Sequence, residues 1–228
     1  MCARSVFVWF CMLSGWINSF GQIEFIENKC QWPDAVKFKA RIPGGTMQLQ
    51  PEGFSYTFLD YERLQHLHEL GHGTPNESHG TNFNNTLDGH RVDVSFIGAN
   101  PHAIASPVNT LSNYYNYFLG SDASTWASHA NAFEAVFYTD YYPGIDLKVY
   151  SQGKHIKYDF YVAAGANPSQ IEFKYAGVDR LYVQQGDLHI EASKFGFTEK
   201  KPVAWQLIDG VKKYISCAYA LDDNTVRF

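Results

Sequence analysis

Apolar and polar residues alternate along much of the chain. Five segments carry an apolar residue at every second position, and such a period predicts strands with one buried face. The apolar positions are Val36, Phe38 and Ala40; Val92, Val94 and Phe96; Ile156, Tyr158, Phe160 and Val162; Ile171, Phe173 and Tyr175; Leu188, Ile190 and Ala192. The best helical pattern is Asp60–Leu70, which ends before Gly71.

Turn sequences separate these segments. They are Pro43-Gly44-Gly45, Pro51-Glu52-Gly53, Pro143-Gly144, Gly186-Asp187 and Asp209-Gly210. The last lies between Trp205–Leu207 and Tyr214–Ala218, which predicts a β-hairpin. Many short strands joined by such turns predict an all-β fold, either one antiparallel β-sandwich or two packed β-lobes.

The N-terminus has the pattern of an export signal. Arg4 precedes the apolar run Val6–Leu13, and small residues follow at Ser19 and Gly21. We therefore predict a signal peptide over residues 1–21 and a secreted, extracellular or cell-surface protein; the alternative is a buried N-terminal strand. The apolar run is too short for a transmembrane span.

The remaining chain divides by composition. We predict an N-terminal β segment at 22–70, a flexible His-, Asn- and Gly-rich loop at 71–89, and the main β-sandwich region at 90–228. The sequence stops at Val226-Arg227-Phe228, inside a strand-like pattern, so we expect further domains in a longer parent chain. Cys30 and Cys217 remain after cleavage, either as a disulfide or as two isolated, buried thiols.

Overall composition excludes some functional classes. The chain has 228 residues, of which 45% are hydrophobic and 18% charged, as in globular proteins. Aromatic residues reach 16%, which favours strands. The net charge of −5 and the lack of a basic cluster argue against nucleic-acid binding.

One segment spells a catalytic motif. His68-Glu69-Leu70-Gly71-His72 matches the H-E-x-x-H pattern, in which two histidines on a helix bind Zn and the Glu is the general base. Gly71, Gly73 and Pro75 interrupt that helix, and His79 falls one place late for a third ligand in the extended pattern. A zinc-dependent hydrolase using His68, His72, His79 and Glu69 is therefore an alternative, beside weak metal binding or a solvated loop.

Two other groups of residues carry possible chemistry. Asp140, Asp146 and Asp159 are carboxylates near one turn, and they suit either glycoside hydrolysis or the capping of strand ends. Aromatic residues that would stack on a sugar, if exposed, are Trp126, Trp205, Tyr114, Tyr115 and Tyr117. A glycan-binding module is therefore a further alternative.

Several motifs resemble one family in the same order. They are Phe25-Ile26-Glu27-Asn28-Lys29-Cys30-Gln31-Trp32, similar to an F-x-E-N-x-G-Q-W signature; Ile42–Gly45; Ser95–Pro101; Tyr115–Gly120; Tyr142–Leu147; Tyr158–Phe160 with Gly165–Pro168; and Lys201–Gln206. The family is an uncharacterised N-terminal domain of secreted Bacteroidetes surface proteins. β-Propeller-type repeats, or a C-terminal domain associated with gliding motility and type IX secretion, often follow it.

The resemblance implies an extracellular β-sandwich module without known catalysis. Cys30 stands where the family pattern has Gly, which costs backbone freedom at that turn. We therefore expect a secreted, non-catalytic module without a cofactor, acting as a structural spacer or an adhesin-type domain. Its partner would be an extracellular protein or a glycan.

Overall fold

The structure, a computed structural model, consists almost entirely of strands. It describes residues 5–12, 22–60, 63, 88–193 and 195–228. The strands are β1 (Ser5–Met12), β2 (Phe25–Glu27), β3 (Phe38–Ile42), β4 (Gly45–Gln50), β5 (Gly53–Leu59), β6 (Gly89–Phe96), β7 (Ile104–Tyr117), β8 (Ala127–Tyr142), β9 (Ile145–Gln152), β10 (His155–Val162), β11 (Phe173–Ala176), β12 (Arg180–Gln184), β13 (Asp187–Ala192), β14 (Phe195–Ile208), β15 (Val211–Ile215), β16 (Ala220–Asp222) and β17 (Thr225–Arg227). Single 3-10 turns occur at Ala123–Thr125 and Pro168–Gln170.

The strands form two antiparallel sheets that meet at β8. One sheet has the order β2-β3-β4-β5-β6-β11-β17-β16, and the other runs β9-β10-β1-β14, with β13 and β15 beside β14 and β12 beside β13. Near its start β8 pairs with β2, and farther along the same edge it pairs with β9. β7 covers the other edge of β8. The long strand β8 therefore belongs to both sheets.

The two sheets pack face to face through aromatic side chains. Ring centroids lie 5.7 Å apart for Phe54 and Tyr158, and 5.0 Å apart for Tyr56 and Phe197. These contacts set β5 of the first sheet against β10 and β14 of the second. The predicted all-β sandwich is confirmed, because two sheet faces share one apolar core.

The alternation of apolar residues predicts the buried faces well, with one instructive departure. Val92, Val94 and Phe96 are buried in β6 as expected. In β10 the intervening Lys157 and Asp159 are nearly buried too, with exposed fractions of 8% and 6%. This second face of β10 is therefore covered, as in an interior strand.

Turn chemistry explains the hairpins. Asp209 and Gly210 have φ values of 51° and 76°, the positive pair that a type I′ turn requires, and they join β14 to β15 as predicted. The turn predicted at Gly186-Asp187 lies one residue earlier. Gln185 and Gly186 occupy it with φ values of 54° and 90°, and Asp187 begins β13.

The N-terminal predictions meet the structure only in part. Ser5–Met12 lies as strand β1, and the export signal over residues 1–21 stays a prediction. Arg63 is helical, and its N–H donates to Asp60 Oδ1 at 3.0 Å; the rest of the predicted helix and most of the loop at 71–89 lie outside the described residues. No helix among the described residues is long and apolar enough to cross a membrane.

Candidate functional site

A partly open cleft of about 640 Å³ lies beside β2, β3 and the end of β7. This volume falls in the range of small-ligand sites, which combine apolar walls with a few polar groups. The residues that define its chemistry are Glu24, Trp32, Lys39, Arg41, Tyr115 and Tyr117. They come from segments far apart in sequence, which the pairing of β2 and β7 with β8 brings together.

The loop after β2 holds Trp32 in the cleft. The Asn28 side chain bonds to several backbone groups of this loop. Its Nδ2 lies 3.0, 3.1 and 2.8 Å from the carbonyl oxygens of Trp32, Pro33 and Val36. In return, Asn28 Oδ1 accepts the Trp32 N–H at 3.2 Å. One amide side chain thus satisfies several backbone groups of a segment that forms no sheet bonds there.

Two further side chains fasten this loop. Gln31 Nε2 donates to the Glu27 carbonyl at 2.7 Å, and Gln31 Oε1 accepts the Lys29 N–H at 2.5 Å. Glu27 Oε1 accepts the backbone N–H and the side-chain amide of Asn131 on β8, both at 2.9 Å. The polar residues of the Phe25–Trp32 motif therefore build the support for Trp32.

Cys30 lies in the same loop with a φ of 79°, the left-handed region that favours glycine. This conformation agrees with the expectation that Cys30 occupies a glycine position. Cys30 is exposed and Cys217 half-buried, and both are free thiols in the structure. The structure therefore has two thiols rather than a disulfide, but neither is buried as that alternative expected.

Aromatic rings form one wall of the cleft. Trp32 and Tyr117 meet edge to face, with centroids 5.3 Å apart and ring planes at 70°. Lys39 Nζ lies 5.1 Å from the Trp32 ring centroid, within range of a cation–π contact. Burial lowers the pKa of Lys39 and raises that of Tyr117, and the charge of Arg41 opposes the second shift.

A carboxylate held by two hydrogen bonds also lines the cleft. Glu24 Oε2 accepts the Asn113 side-chain amide at 2.7 Å and the Tyr115 hydroxyl at 2.8 Å. Burial, together with this bond and the charge of Glu24, raises the pKa of Tyr115. Register shifts between Thr110 and Tyr114, and again between Tyr115 and Tyr117, mark bulges in the β7–β8 pair beside the cleft.

The cleft also contains two cations, Lys39 and Arg41, beside the carboxylate of Glu24. Among the described residues, neither Lys39 nor Arg41 forms an ion pair with a carboxylate. Glu24 is already engaged by two uncharged donors. A ligand that presents an apolar ring face to Trp32 and an anionic group to Lys39 and Arg41 matches these walls.

The structure separates the aromatic residues that the sequence singled out. Tyr115 and Tyr117 line the cleft, whereas Trp126 packs against Phe118 outside it, with centroids 5.9 Å apart and 43% of Trp126 exposed. Tyr114 stacks on His129 at 4.0 Å. The ring centroid of Trp205, on β14, lies 4.2 Å from Lys212 Nζ.

Among Asp140, Asp146 and Asp159, it is Asp146 that caps a turn. Asp146 Oδ1 accepts the Asp140 N–H at 2.9 Å across the turn between β8 and β9. Asp159 is nearly buried on β10, where it accepts the Tyr150 hydroxyl at 3.3 Å. Both contacts are those of structural carboxylates.

The proposed zinc residues His68, Glu69, His72 and His79 lie outside the described residues. Within the described part of the chain, no group of three or more His, Cys, Asp or Glu side chains is placed to hold a metal ion. The zinc motif therefore stays a prediction from sequence.

A second polar cluster, buried in the core, is absent from the sequence-based candidates. Glu199 on β14 accepts hydroxyls from Tyr158 at 2.7 Å, Tyr175 at 2.5 Å and Tyr219 at 3.5 Å. Burial raises the pKa of Glu199 to about 7, although the three hydroxyls act in the opposite direction. Only 2% of Glu199 is exposed, so this cluster lies in the interior and is closed to solvent.

Sequence reasoning also missed Trp32, Lys39, Arg41 and Glu24 as cleft residues. One available signal was the loop from Glu27 to Trp32, in which Asn28 and Gln31 precede a tryptophan outside any alternating strand. Such amides frequently bond to local backbone, so they indicate a fixed loop and a deliberately placed ring. The cations on β3 carried no such signal.

Comparison with known proteins gives a family without an assigned activity. No curated protein and no solved structure matches the chain. The model of one family matches residues 25–228, which include every cleft residue listed above except Glu24. The chain therefore belongs to the family described as Domain of unknown function (DUF7948).

Proposed function

We propose that this chain is a secreted, non-catalytic binding module of the adhesin type, whose cleft holds an acidic carbohydrate. The observation that carries the proposal is the combination of the Trp32–Tyr117 wall with Lys39 and Arg41 in one cleft. Aromatic rings contact the apolar faces of sugars, and polar groups around them fix orientation.

The two cations narrow the ligand class. An uncharged sugar would leave Lys39 and Arg41 without an anionic partner, whereas a uronic acid or a sulfated sugar would supply one. Arg41 suits a planar carboxylate or a sulfate because its guanidinium donates two parallel hydrogen bonds. Glu24 and Asn116 provide further polar contacts for hydroxyl groups.

The extracellular location is also proposed. It is supported by Arg4 and the apolar run Val6–Leu13 ahead of small residues, the pattern of an export signal. Membership of a longer surface protein, with further domains after this one, is part of the same proposal. In that setting a sugar-binding cleft would attach the parent protein to an extracellular polysaccharide.

A binding experiment tests the cleft. Purified protein is titrated by calorimetry with oligosaccharides of uronic acids and with their neutral counterparts. We expect Trp32→Ala to weaken binding of both by about tenfold or more, and Arg41→Met to weaken only the acidic ligands. Trp126→Ala is the matched control, because Trp126 is exposed outside the cleft.

The binding of each variant is compared with the wild type only after its folding has been checked. Each variant is first checked by circular dichroism and thermal unfolding, so that weaker binding is not confused with loss of structure. Equal affinity of Trp32→Ala and the wild type would contradict the cleft as the binding site. Equal weakening of neutral and acidic ligands by Arg41→Met would contradict the acidic class alone.

A further inference from the structure

A gap one strand wide separates β10 from β14, and β1 occupies it. β10 pairs with β9 along one edge, and β14 pairs with β13 and then β15 along one edge. In the described part of the chain, the two facing edges pair only with β1. Because β1 is antiparallel to both, β10 and β14 run parallel to each other, about 10 Å apart.

Buried side chains hold the gap at this width. The Tyr158 hydroxyl of β10 reaches Glu199 Oε2 of β14 at 2.7 Å, across the position of β1. Glu199 also accepts Tyr175 of β11, which belongs to the facing sheet. Direct pairing of β10 with β14 would move them about 5 Å closer and disturb this cluster. The core is therefore built for a third strand between them.

The strand in the gap belongs to the segment with the export-signal pattern. Cleavage after Gly21 would remove all of Ser5–Met12. The facing edges of β10 and β14 would then lose their hydrogen-bonding partner in the middle of a sheet, beside buried residues such as Phe160 and Ala204. Unpaired edges flanking an apolar floor bind an added strand readily.

We propose that, in the exported protein, this gap binds an extended segment of a partner polypeptide, which pairs antiparallel with both β10 and β14. The inference rests on the export that we propose above, and it concerns a site separate from the sugar cleft. β1 itself marks the length that fits, eight residues.

The residues of β10 that face the gap specify which side chains the bound segment should carry. Every second residue lies opposite Val162, Phe160 or Tyr158, all buried on the core side, and should be apolar. The residues between them lie opposite Tyr161, Asp159 and Lys157, and in β1 they are Val6, Val8 and Phe10. The segment that fits is therefore extended and predominantly apolar, as the sequence of β1 is.

β10 and β14 differ in how regularly they pair with β1. Pairing of β1 with β10 is unbroken from Ser5 to Phe10, whereas the register with β14 shifts between Val8 and Phe10. Pro202, which has no N–H to donate, lies on β14 within that register shift. We expect a bound segment to protect the amides of β10 more evenly than those of β14.

Hydrogen exchange on the exported protein tests the proposal. Protein recovered after export is weighed by mass spectrometry to locate the cleavage site. The probe is a synthetic peptide with the sequence of residues 5–12, Cys11→Ser, flanked by lysines for solubility. The control peptide is the probe with Phe7→Pro and Trp9→Pro, which removes two backbone N–H donors and prevents strand pairing. We expect the probe, and not the control, to slow exchange in β10 and in 198–206 of β14 by about tenfold or more.

Three results would overturn the proposal. The exported protein could retain residues 1–21, the amides of β10 and β14 could be protected without peptide, or their protection could rise with protein concentration because a second copy fills the gap. Retention of residues 1–21 would also refute the proposed export. If the exported protein binds the sugar but not the peptide, then only the strand site is refuted. If it binds the peptide but not the sugar, then only the cleft is refuted.

Discussion

Glu24 and Glu199 both accept tyrosine hydroxyls and yet belong to opposite kinds of site. Glu24 lies at the cleft, where it holds Tyr115 and Asn113. Glu199 lies in the core, where three tyrosines surround it. The same donor–acceptor chemistry fixes side chains at the proposed ligand cleft in the first case and joins β10, β11 and β14 in the core in the second. Exposure to solvent, more than residue type, determines which role results.

The largest expected effect is a dependence of stability on pH that originates at Glu199. Its pKa of about 7 in the folded protein lies above its ordinary value of 4.5, so folding favours the protonated form. The contribution to stability is complete below pH 4.5 and is lost as the pH rises to 7, by about 3 kcal/mol in total. Glu199→Gln should remove this part of the slope, as measured by urea unfolding of the chain with residues 1–21 in place, from pH 4 to 8.

The matched control for that experiment is Glu134→Gln. Glu134 is half-buried on β8, where it accepts the Asn109 side-chain amide at 2.8 Å. This variant should keep the wild-type slope. Parallel pH profiles for Glu199→Gln and the wild type would show that the buried cluster does not titrate in this range.

The support of the cleft should be the next most sensitive feature. Asn28→Ala removes the amide that bonds to the backbone of Trp32, Pro33 and Val36. We expect a loss of about 2 kcal/mol in the free energy of unfolding, together with weaker sugar binding, because Trp32 loses its support. Asp34→Ala changes an exposed side chain of the same loop and should leave both quantities unchanged. Normal binding by Asn28→Ala would mean that the loop is not what positions Trp32.

Removing one tyrosine hydroxyl at each glutamate compares the two sites directly. Tyr175→Phe takes a buried donor from Glu199 and should cost about 1.5 kcal/mol at pH 8, where the carboxyl is mostly ionised, and less at pH 5. Tyr115→Phe takes a solvent-exposed donor from Glu24 and should cost less than about 1 kcal/mol at either pH. Chemical denaturation at the two pH values measures both. Equal losses would show that burial does not distinguish these glutamates.

The same contrast explains what the sequence could predict. The buried faces of β6 and β10 and the hairpin at Asp209-Gly210 follow from local patterns, because strand period and turn conformation are properties of neighbouring residues. Glu199 precedes Lys200 and Lys201, a run that looks solvated, and its burial depends on tyrosines from other parts of the chain.

The cleft was equally hidden from local reasoning. Tyr115 and Tyr117 could be proposed as sugar contacts because they are aromatic, but their approach to Trp32 depends on strand pairing across β8. Arg41 occupies the polar side of an ordinary alternating strand. Long-range pairing, which no short pattern records, brings these groups together.

The smallest effect, and the only stabilising one, concerns Cys30. Its φ of 79° is strained for a residue with a side chain and is free of strain for glycine. Cys30→Gly should raise the free energy of unfolding by about 1 kcal/mol. The substitution removes the strain of the left-handed conformation, and the greater conformational freedom of glycine in the unfolded chain offsets part of that gain. Cys30→Ala removes the thiol but keeps the strain, and so should match the wild type. If Cys30→Ala stabilises as much as Cys30→Gly, then the thiol and not the backbone is the source of the cost.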